Sequence, residues 1–255
     1  MWPFNRRLPA PERPGSTFQQ LGAPFPLFEA PASNAEDYCG PATCSICGQQ
    51  ASVCFRLGIG CALIVPCPSC RTENGLDAFE GKPQACRNCK SVITFPLPRR
   101  ARAITCYACL RAGRAAMTKD TVLGMISWDQ AFEGLTHGRP RLSRPDFEMV
   151  PTESDWVRAR LPKEMMFELL RTPSYSAIQA DQWQFCCRQP MIYLGAWTRE
   201  DFNRHAPDGH GEVIFRNVVQ DVVPGLWEDD LHDVTGIYVF RCPACSRLTA
   251  HWDLA

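Results

Sequence analysis

Paired cysteines are the residues in this sequence whose type and spacing could do chemistry. Ten of the fifteen cysteines in the 255 residues lie in five Cys-x-x-Cys motifs. Structural zinc takes four thiolate or imidazole ligands in a tetrahedron, so each motif supplies half a site and must meet a partner. The five motifs are Cys44–Cys47, Cys67–Cys70, Cys86–Cys89, Cys106–Cys109 and Cys242–Cys245.

The spacing of the motifs predicts two nested zinc sites. Fifteen residues separate Cys70 from Cys86, which is the spacing of a self-contained zinc ribbon, so we expect the second and third motifs to share one ion. Cys106 and Cys109 must then reach over this ribbon to the first motif. One ribbon is therefore expected inside another.

The C-terminal motif predicts a third site. Cys242 and Cys245 need further ligands, and Cys186 and Cys187 are the other cysteines in the second half of the chain. Adjacent side chains point in different directions, so we favour Cys187 and keep Cys186 as the alternative. The expected cofactors are two Zn²⁺ ions, or three if Cys187 is a ligand, and four cysteines could also accept iron.

Metal ligation explains these cysteines better than disulfide bonds do. Most cysteines are paired in Cys-x-x-Cys motifs, and their total is odd. The start of the chain, Met1 to Arg7, lacks the apolar segment of a secretory signal. The longest apolar run, Ile59 to Val65, is too short to span a bilayer. We therefore expect a cytoplasmic protein without membrane contact.

Charge is balanced over the chain but segregated along it. Lys plus Arg and Asp plus Glu both number 27, which argues against nucleic-acid binding through overall charge. Residues 82–119 nevertheless hold nine basic and no acidic residues, and residues 201–235 hold eight acidic residues against two Arg. The basic segment is interpreted as a solvated face that balances anionic zinc centres, or alternatively as a phosphate-binding patch.

The predicted fold is α+β, with small zinc-ribbon units of short antiparallel strands, a C-terminal α+β part, few helices and many loops. We expect a flexible tail over 1–24, a zinc-binding region over 25–137 with the inner ribbon at 61–96, and a C-terminal region over 138–255. Helices are predicted at 107–119, 162–171 and 177–185. Short strands are predicted at 53–57, 62–65, 92–95, 192–195, 213–215, 236–241 and 248–252.

The layout resembles the CbrC family, a group of bacterial proteins linked to colicin tolerance. Phe25-Pro26-Leu27-Phe28-Glu29-Ala30-Pro31 and Thr172-Pro173-x-Tyr175 are two of the matching stretches. Further matches, in the same order along the chain, are Cys44-x-x-Cys47-Gly48, Cys106-x-x-Cys109-Leu110-x-Ala112-Gly113, Ile178-Gln179-x-x-x-Trp183-x-x-Cys186-Cys187, Tyr193-Leu194-Gly195, Tyr238-x-Phe240-x-Cys242-x-x-Cys245 and Ala250-x-Trp252-Asp253.

Three departures from that family accompany the resemblance. The family has a short link between its first two knuckles, where this chain carries an extra ribbon. That ribbon resembles the one preceding the catalytic domain of some bacterial thioredoxins, although no thioredoxin active-site motif follows it. The family also usually has Trp where Ile178 stands and His-Cys where Cys186-Cys187 stands here.

The sequence favours a binding function over catalysis. His210-Gly211-Glu212 followed by Cys242-x-x-Cys245 has the order of a zinc deaminase, but Arg241 stands where the proline is required and glycines flank His210. The CbrC resemblance implies a tolerance or immunity factor, and we expect it to bind a protein partner such as a basic nuclease toxin. The alternatives are a nucleic-acid-binding protein that uses residues 82–119, and a thiol sensor that uses Cys39, Cys54 or Cys61.

Overall fold

Short antiparallel sheets and short helices make up the part of the chain that the computed structural model describes, and they confirm the predicted α+β class. The described residues are 15–97, 103–179, 181–219, 226–227 and 235–254.

The helices and strands are short throughout. The described helices are α1 (Tyr107–Arg111), α2 (Trp128–Glu133), α3 (Lys163–Leu170), α4 (Arg199–His205) and α5 (Glu212–Val218), with a 3₁₀ turn at Ala32–Asn34. The described strands are β1 (Tyr38–Thr43), β2 (Gln50–Arg56), β3 (Ala62–Pro66), β4 (Glu73–Asp77), β5 (Gln84–Ala85), β6 (Val92–Ile93), β7 (Ile104–Cys106), β8 (Ala115–Ala116), β9 (Arg139–Pro140), β10 (Glu148–Pro151), β11 (Trp156–Arg160), β12 (Phe185–Cys186), β13 (Gln189–Pro190), β14 (Ile192–Ala196), β15 (Thr235–Arg241) and β16 (Leu248–Leu254).

The sheets bring distant parts of the chain together. The three-stranded sheets have the orders β1-β2-β7, β4-β3-β8, β10-β11-β9 and β14-β15-β16, and two-stranded ladders join β5 to β6 and β12 to β13. The inner ribbon is not isolated, because β3 pairs with β4 inside it and with β8 outside it.

An aromatic core joins the two predicted regions. The rings of Tyr175 and Tyr193 stack with centroids 4.5 Å apart, and Phe240 packs against both. The same cluster of buried residues includes Phe18 and Phe55 from the N-terminal region. The main core therefore contains residues from both sides of the boundary predicted after residue 137.

The predicted flexible tail is too long. Residues 1–14 lie outside the described part of the chain, but Phe18 is completely buried. Its ring packs edge-on against Phe25, Phe28 and Tyr38 at centroid distances of 5.2 to 5.4 Å. Burial of this aromatic surface offsets the entropy of ordering a polar segment, which composition alone does not reveal.

The local predictions had mixed outcomes. Helix α3 and strands β14, β15 and β16 lie where the sequence placed them. The helix predicted at 107–119 ends at Arg111, since Gly113 adopts a left-handed φ of 71° and the chain continues into β8. The predicted strand at 213–215 is wrong, because these residues lie inside helix α5.

The helix predicted at 177–185 is also wrong. The described residues 177–179 and 181–185 are non-helical, and the backbone N–H groups of Ile178 and Gln179 donate to Tyr238 Oη and Asp253 Oδ2, both at 2.9 Å. Tertiary hydrogen bonds to the C-terminal sheet have replaced those of a helix.

The backbones of Gly124 and Gly138 are in close contact, so a side chain at Gly124 should destabilise the protein. A Cβ on Gly124 would lie 2.6 Å from the backbone N and O of Gly138, and Gly124 has a φ of 99°. We expect Gly124→Ala to lower the free energy of unfolding by at least about 3 kcal/mol, measured by chemical denaturation. Gly209→Ala is the control, because its φ is 75° but its Cβ would meet open space. It should cost only about 1 kcal/mol. Equal losses would show that the Gly124 contact is unimportant.

Candidate metal centres

Twelve cysteines meet in three groups of four, within the described residues. In each group all four sulfur atoms lie within 4.8 Å of one another. The outer centre contains Cys44, Cys47, Cys106 and Cys109; the inner centre contains Cys67, Cys70, Cys86 and Cys89; the C-terminal centre contains Cys186, Cys187, Cys242 and Cys245. The structure therefore brings together the motifs that the spacing analysis paired.

Four of the five motifs form the same knuckle. In each, the backbone N–H four residues after the first cysteine donates to that cysteine's carbonyl at 2.8 to 3.0 Å. The donor residue has a φ of 60° to 73° in every case, and it is Gly48, Arg71, Lys90 or Ser246. A left-handed residue at this position folds the chain so that both sulfur atoms face one point. Glycine suits this conformation best, so Gly48 was the knuckle turn that the sequence signalled most clearly.

The fifth motif, Cys106–Cys109, lies at the start of a helix and does not form a knuckle. Cys106 is the N-cap of α1, and its Sγ accepts the backbone N–H of Cys109 at 3.5 Å. The backbone N–H of Cys106 in turn donates to Cys44 Sγ at 3.3 Å. The N-terminus of α1 thus directs N–H groups at sulfur atoms, which stabilises thiolates.

Both the favoured ligand, Cys187, and the alternative, Cys186, lie in the C-terminal centre. Cys186 Sγ lies 3.8 Å from Cys187 Sγ and 3.7 Å from Cys245 Sγ. Cys187 and Arg188 have φ values of 52° and 61° at the turn between β12 and β13. Two left-handed residues make a tight hairpin turn, which swings the Cys187 side chain to the same side as Cys186.

The sulfur separations fit a bound tetrahedral metal ion. Zinc–sulfur bonds of about 2.3 Å place the sulfur atoms of a tetrahedron about 3.8 Å apart. The Cys67–Cys89, Cys70–Cys86 and Cys47–Cys106 sulfur pairs are 3.6, 3.6 and 4.0 Å apart. A disulfide would need about 2.05 Å, and all fifteen cysteines are free. The donor sets therefore fit Zn²⁺ or iron, both of which four thiolates can hold.

The thiols of the outer centre differ in pKa. Burial raises the pKa of Cys44, but hydrogen bonds from the backbone N–H groups of Cys47 and Cys106 outweigh it and bring that pKa to about 7. Burial and a side-chain hydrogen bond with Cys106 raise the pKa of Cys109 well above its usual range. Neighbouring thiolates oppose each other's ionisation, and a bound dication would remove that opposition.

The three centres differ in exposure. Cys44, Cys106 and Cys109 are buried in the outer centre, whereas Cys187 and Cys245 are exposed in the C-terminal centre. Arg114 Nη1 lies 3.7 Å from Cys109 Sγ and places a positive charge beside the outer thiolates. This contact agrees with the expectation that basic residues balance anionic centres.

The three cysteines outside the centres are poor sensor candidates. Cys54 and Cys61 are buried, and burial raises the pKa of both thiols. Burial also raises the pKa of Cys39, which is partly exposed. A reactive cysteine needs a lowered pKa and access to solvent, so these thiols do not favour the sensor hypothesis.

Histidines take no part in the metal groups found among the described residues. His210 is exposed, and its backbone N–H donates to Asp208 Oδ1 at 3.0 Å in a loop. His205 stacks on Trp197 with centroids 4.1 Å apart, and His232 lies outside the described residues. The deaminase-like order of His210, Glu212 and the last motif therefore does not become a site.

The basic segment is largely engaged within the protein. Arg87 lies over the Phe132 ring, 3.2 Å from its centroid, and Arg111 pairs with Glu168 at 2.7 Å. Lys119 is completely buried and donates to Ser174 Oγ at 2.8 Å. Arg99, Arg100 and Arg102 lie outside the described residues. The described part of 82–119 therefore does not offer a continuous row of free cations.

The acidic segment is only partly described. Asp201 pairs with Arg204 at 2.7 Å, and Glu212 pairs with Arg216 at 2.6 Å. Asp208 is described, whereas the other five acidic residues of 201–235 lie outside the described part. These residues are Asp221, Glu228, Asp229, Asp230 and Asp233.

Comparison with known families identifies the family of this chain. Residues 76–254, which run from β4 to the end of β16, match the uncharacterised protein family UPF0167. The chain belongs to this family. The UPF0167 match contains the C-terminal centre and half of each other centre, while Cys44, Cys47, Cys67 and Cys70 precede it. No curated protein and no solved structure matches the chain.

In the part of the chain described by the structure, no helix is both long and apolar enough to span a bilayer.

Proposed function

We propose that this UPF0167 protein is a non-enzymatic binding protein whose three cysteine centres hold structural zinc ions. The observation that carries the proposal is the ligand count, because each centre has four cysteine sulfurs. A catalytic zinc keeps one position open for water or substrate, whereas four protein ligands close the tetrahedron. The zinc ions then fix loops and short sheets that have little core of their own.

The ribbon is the surface that we propose for partner binding. Ile59 and Phe79 are 80% and 62% exposed, and Ala78 N–H donates to Cys61 O at 2.8 Å. Ile59 precedes β3 and Phe79 follows β4, so both residues lie at the same end of this strand pair. Exposed apolar residues in one region are typical of protein-binding surfaces.

The resemblance to CbrC suggests which partner to test. We propose a role in tolerance of a bacteriocin-type toxin in the cytoplasm, through stoichiometric binding of a basic nuclease domain. The acidic residues of 201–235 would speed association with such a partner by electrostatic steering.

Direct binding tests this function. Titration calorimetry of the metal-loaded protein against nuclease domains of bacteriocins should give a one-to-one complex with micromolar affinity or better. The double variant Ile59→Ser, Phe79→Ser should weaken it at least tenfold, since buried apolar anchors dominate interfaces. Val213→Ser is a matched control, because Val213 is 63% exposed on α5. Absence of a complex, together with heparin or DNA binding that falls steeply with salt, would favour nucleic-acid binding instead.

A further inference from the structure

A small cleft lies where the inner ribbon meets the body of the protein. Its volume is about 120 Å³, and Ile64 and Glu73 of the ribbon line one side. The body contributes Trp128, Phe167, Leu170 and Arg171. An engineered apolar cavity of about 150 Å³ takes up benzene, so this smaller cleft has room for a small branched aliphatic group.

Two opposite charges face this cleft without partners. Among the described residues, the Arg171 guanidinium has no hydrogen bond or ion pair, and its contact is the Phe167 ring, 5.8 Å from Cζ to centroid. The Glu73 carboxylate is likewise unpaired within the described part. Arg111 differs from Arg171, since its guanidinium donates two hydrogen bonds to the Glu168 carboxylate. A half-buried guanidinium without an acceptor is suited to a carboxylate from outside.

The local backbone makes room for Arg171. A Cβ on Gly113 would lie 2.9 Å from Arg171 Nη2, so the guanidinium packs directly over the glycine backbone. Arg171 also follows the last residue of α3, where the negative end of the helix dipole favours a cation. The Gly113 backbone and the end of α3 thus both favour a guanidinium at this position.

We propose that this cleft binds a carboxylate attached to a small apolar group, as in a free α-amino acid or the last residue of a peptide. Arg171 holds the carboxylate, and the apolar group packs on Phe167, Leu170 and Trp128. Glu73 separates the two sources, because a free amino acid brings an ammonium group to it and a peptide terminus does not. This site is independent of the proposed toxin binding.

Binding of small probes to the full metal-loaded chain tests the site. We expect saturable chemical-shift changes with leucine or with N-acetylleucine at millimolar concentration, and at least tenfold weaker binding of leucinamide, which lacks the carboxylate. Leucine binding that weakens in Glu73→Gln indicates a free amino acid. Equal binding of N-acetylleucine, unchanged in Glu73→Gln, indicates a peptide terminus.

Variants at Arg171 complete the test. Arg171→Met should weaken binding of the carboxylate probe at least tenfold, while Arg141→Met should leave it unchanged, since Arg141 is exposed and paired with Asp155. Metal content and circular dichroism of both variants report on folding. Absence of saturable binding, equal binding of leucinamide, or full binding by folded Arg171→Met would each overturn the proposal.

Discussion

Replacing Cys109 with serine is expected to release one metal ion from the outer centre and to cause a large loss of stability. The hydrophobic cluster around this centre is small, and its buried members are Cys44, Cys54, Cys106 and Cys109 themselves. Cys47 and Cys106, which the ion would link, are 59 positions apart. Because the ion closes a long loop, it contributes strongly to keeping β1, β2 and β7 together.

The size of this effect follows from zinc binding. Structural zinc contributes about 10–16 kcal/mol of apparent binding free energy in small zinc peptides. One third of that is about 3–5 kcal/mol, or roughly 10 °C in melting temperature for a chain of this length. Calorimetry and elemental analysis of Cys109→Ser measure both quantities. Cys39→Ser is the control, because Cys39 lies on β1 of the same sheet but outside the centre. If both variants keep equal metal and melt alike, the outer centre does not bind an ion.

The second large effect is expected at the C-terminal centre. Cys242→Ser should release one ion and lower the melting temperature by roughly 10 °C, because the ion ties the β12–β13 hairpin to the turn between β15 and β16. Cys242 is completely buried, and its Sγ lies 3.8 Å from Cys186 O. Here the aromatic core around Tyr175 remains, so the rest of the molecule should stay folded.

Cys54→Ser is the matched control for this second variant. Cys54 is also completely buried, but it belongs to no centre, and its Sγ contacts Ala42 O at 3.4 Å. An ordinary core substitution of this kind costs about 1 kcal/mol and should leave the metal content unchanged. Identical melting and metal content for Cys54→Ser and Cys242→Ser would mean that Cys242 is a plain buried thiol.

The metal centres were the most predictable part of the molecule. Fifteen residues between Cys70 and Cys86 restrict the pairing of the inner motifs, and the remaining motifs then pair by elimination. The sequence presents Cys186 and Cys187 as alternatives, because their joint presence in one centre depends on the left-handed φ of Cys187 and Arg188. Neither residue is a type that signals such a turn.

The rest of the fold was less predictable because long-range contacts override local preference. The segment over 177–185 has an apolar spacing that suits a helix, but Tyr238 and Asp253 bind its backbone from the C-terminal sheet. The sequence predicts Lys119 as part of a basic surface, but the residue is completely buried and donates a hydrogen bond to Ser174. The Arg171 cleft also has no local signal, since its walls come from separate segments.

The metal content of the intact chain tests the central claim most directly. Native mass spectrometry and elemental analysis, on protein purified under reducing conditions, should return three metal ions per chain and a mass without disulfide bonds. Alkylation of the native protein should be slow for the twelve ligand cysteines and fast after chelation. Three ions, predicted to be zinc, would support three closed centres. Fewer than two would contradict the nested ribbons, and two would mean that one of the three centres holds no ion.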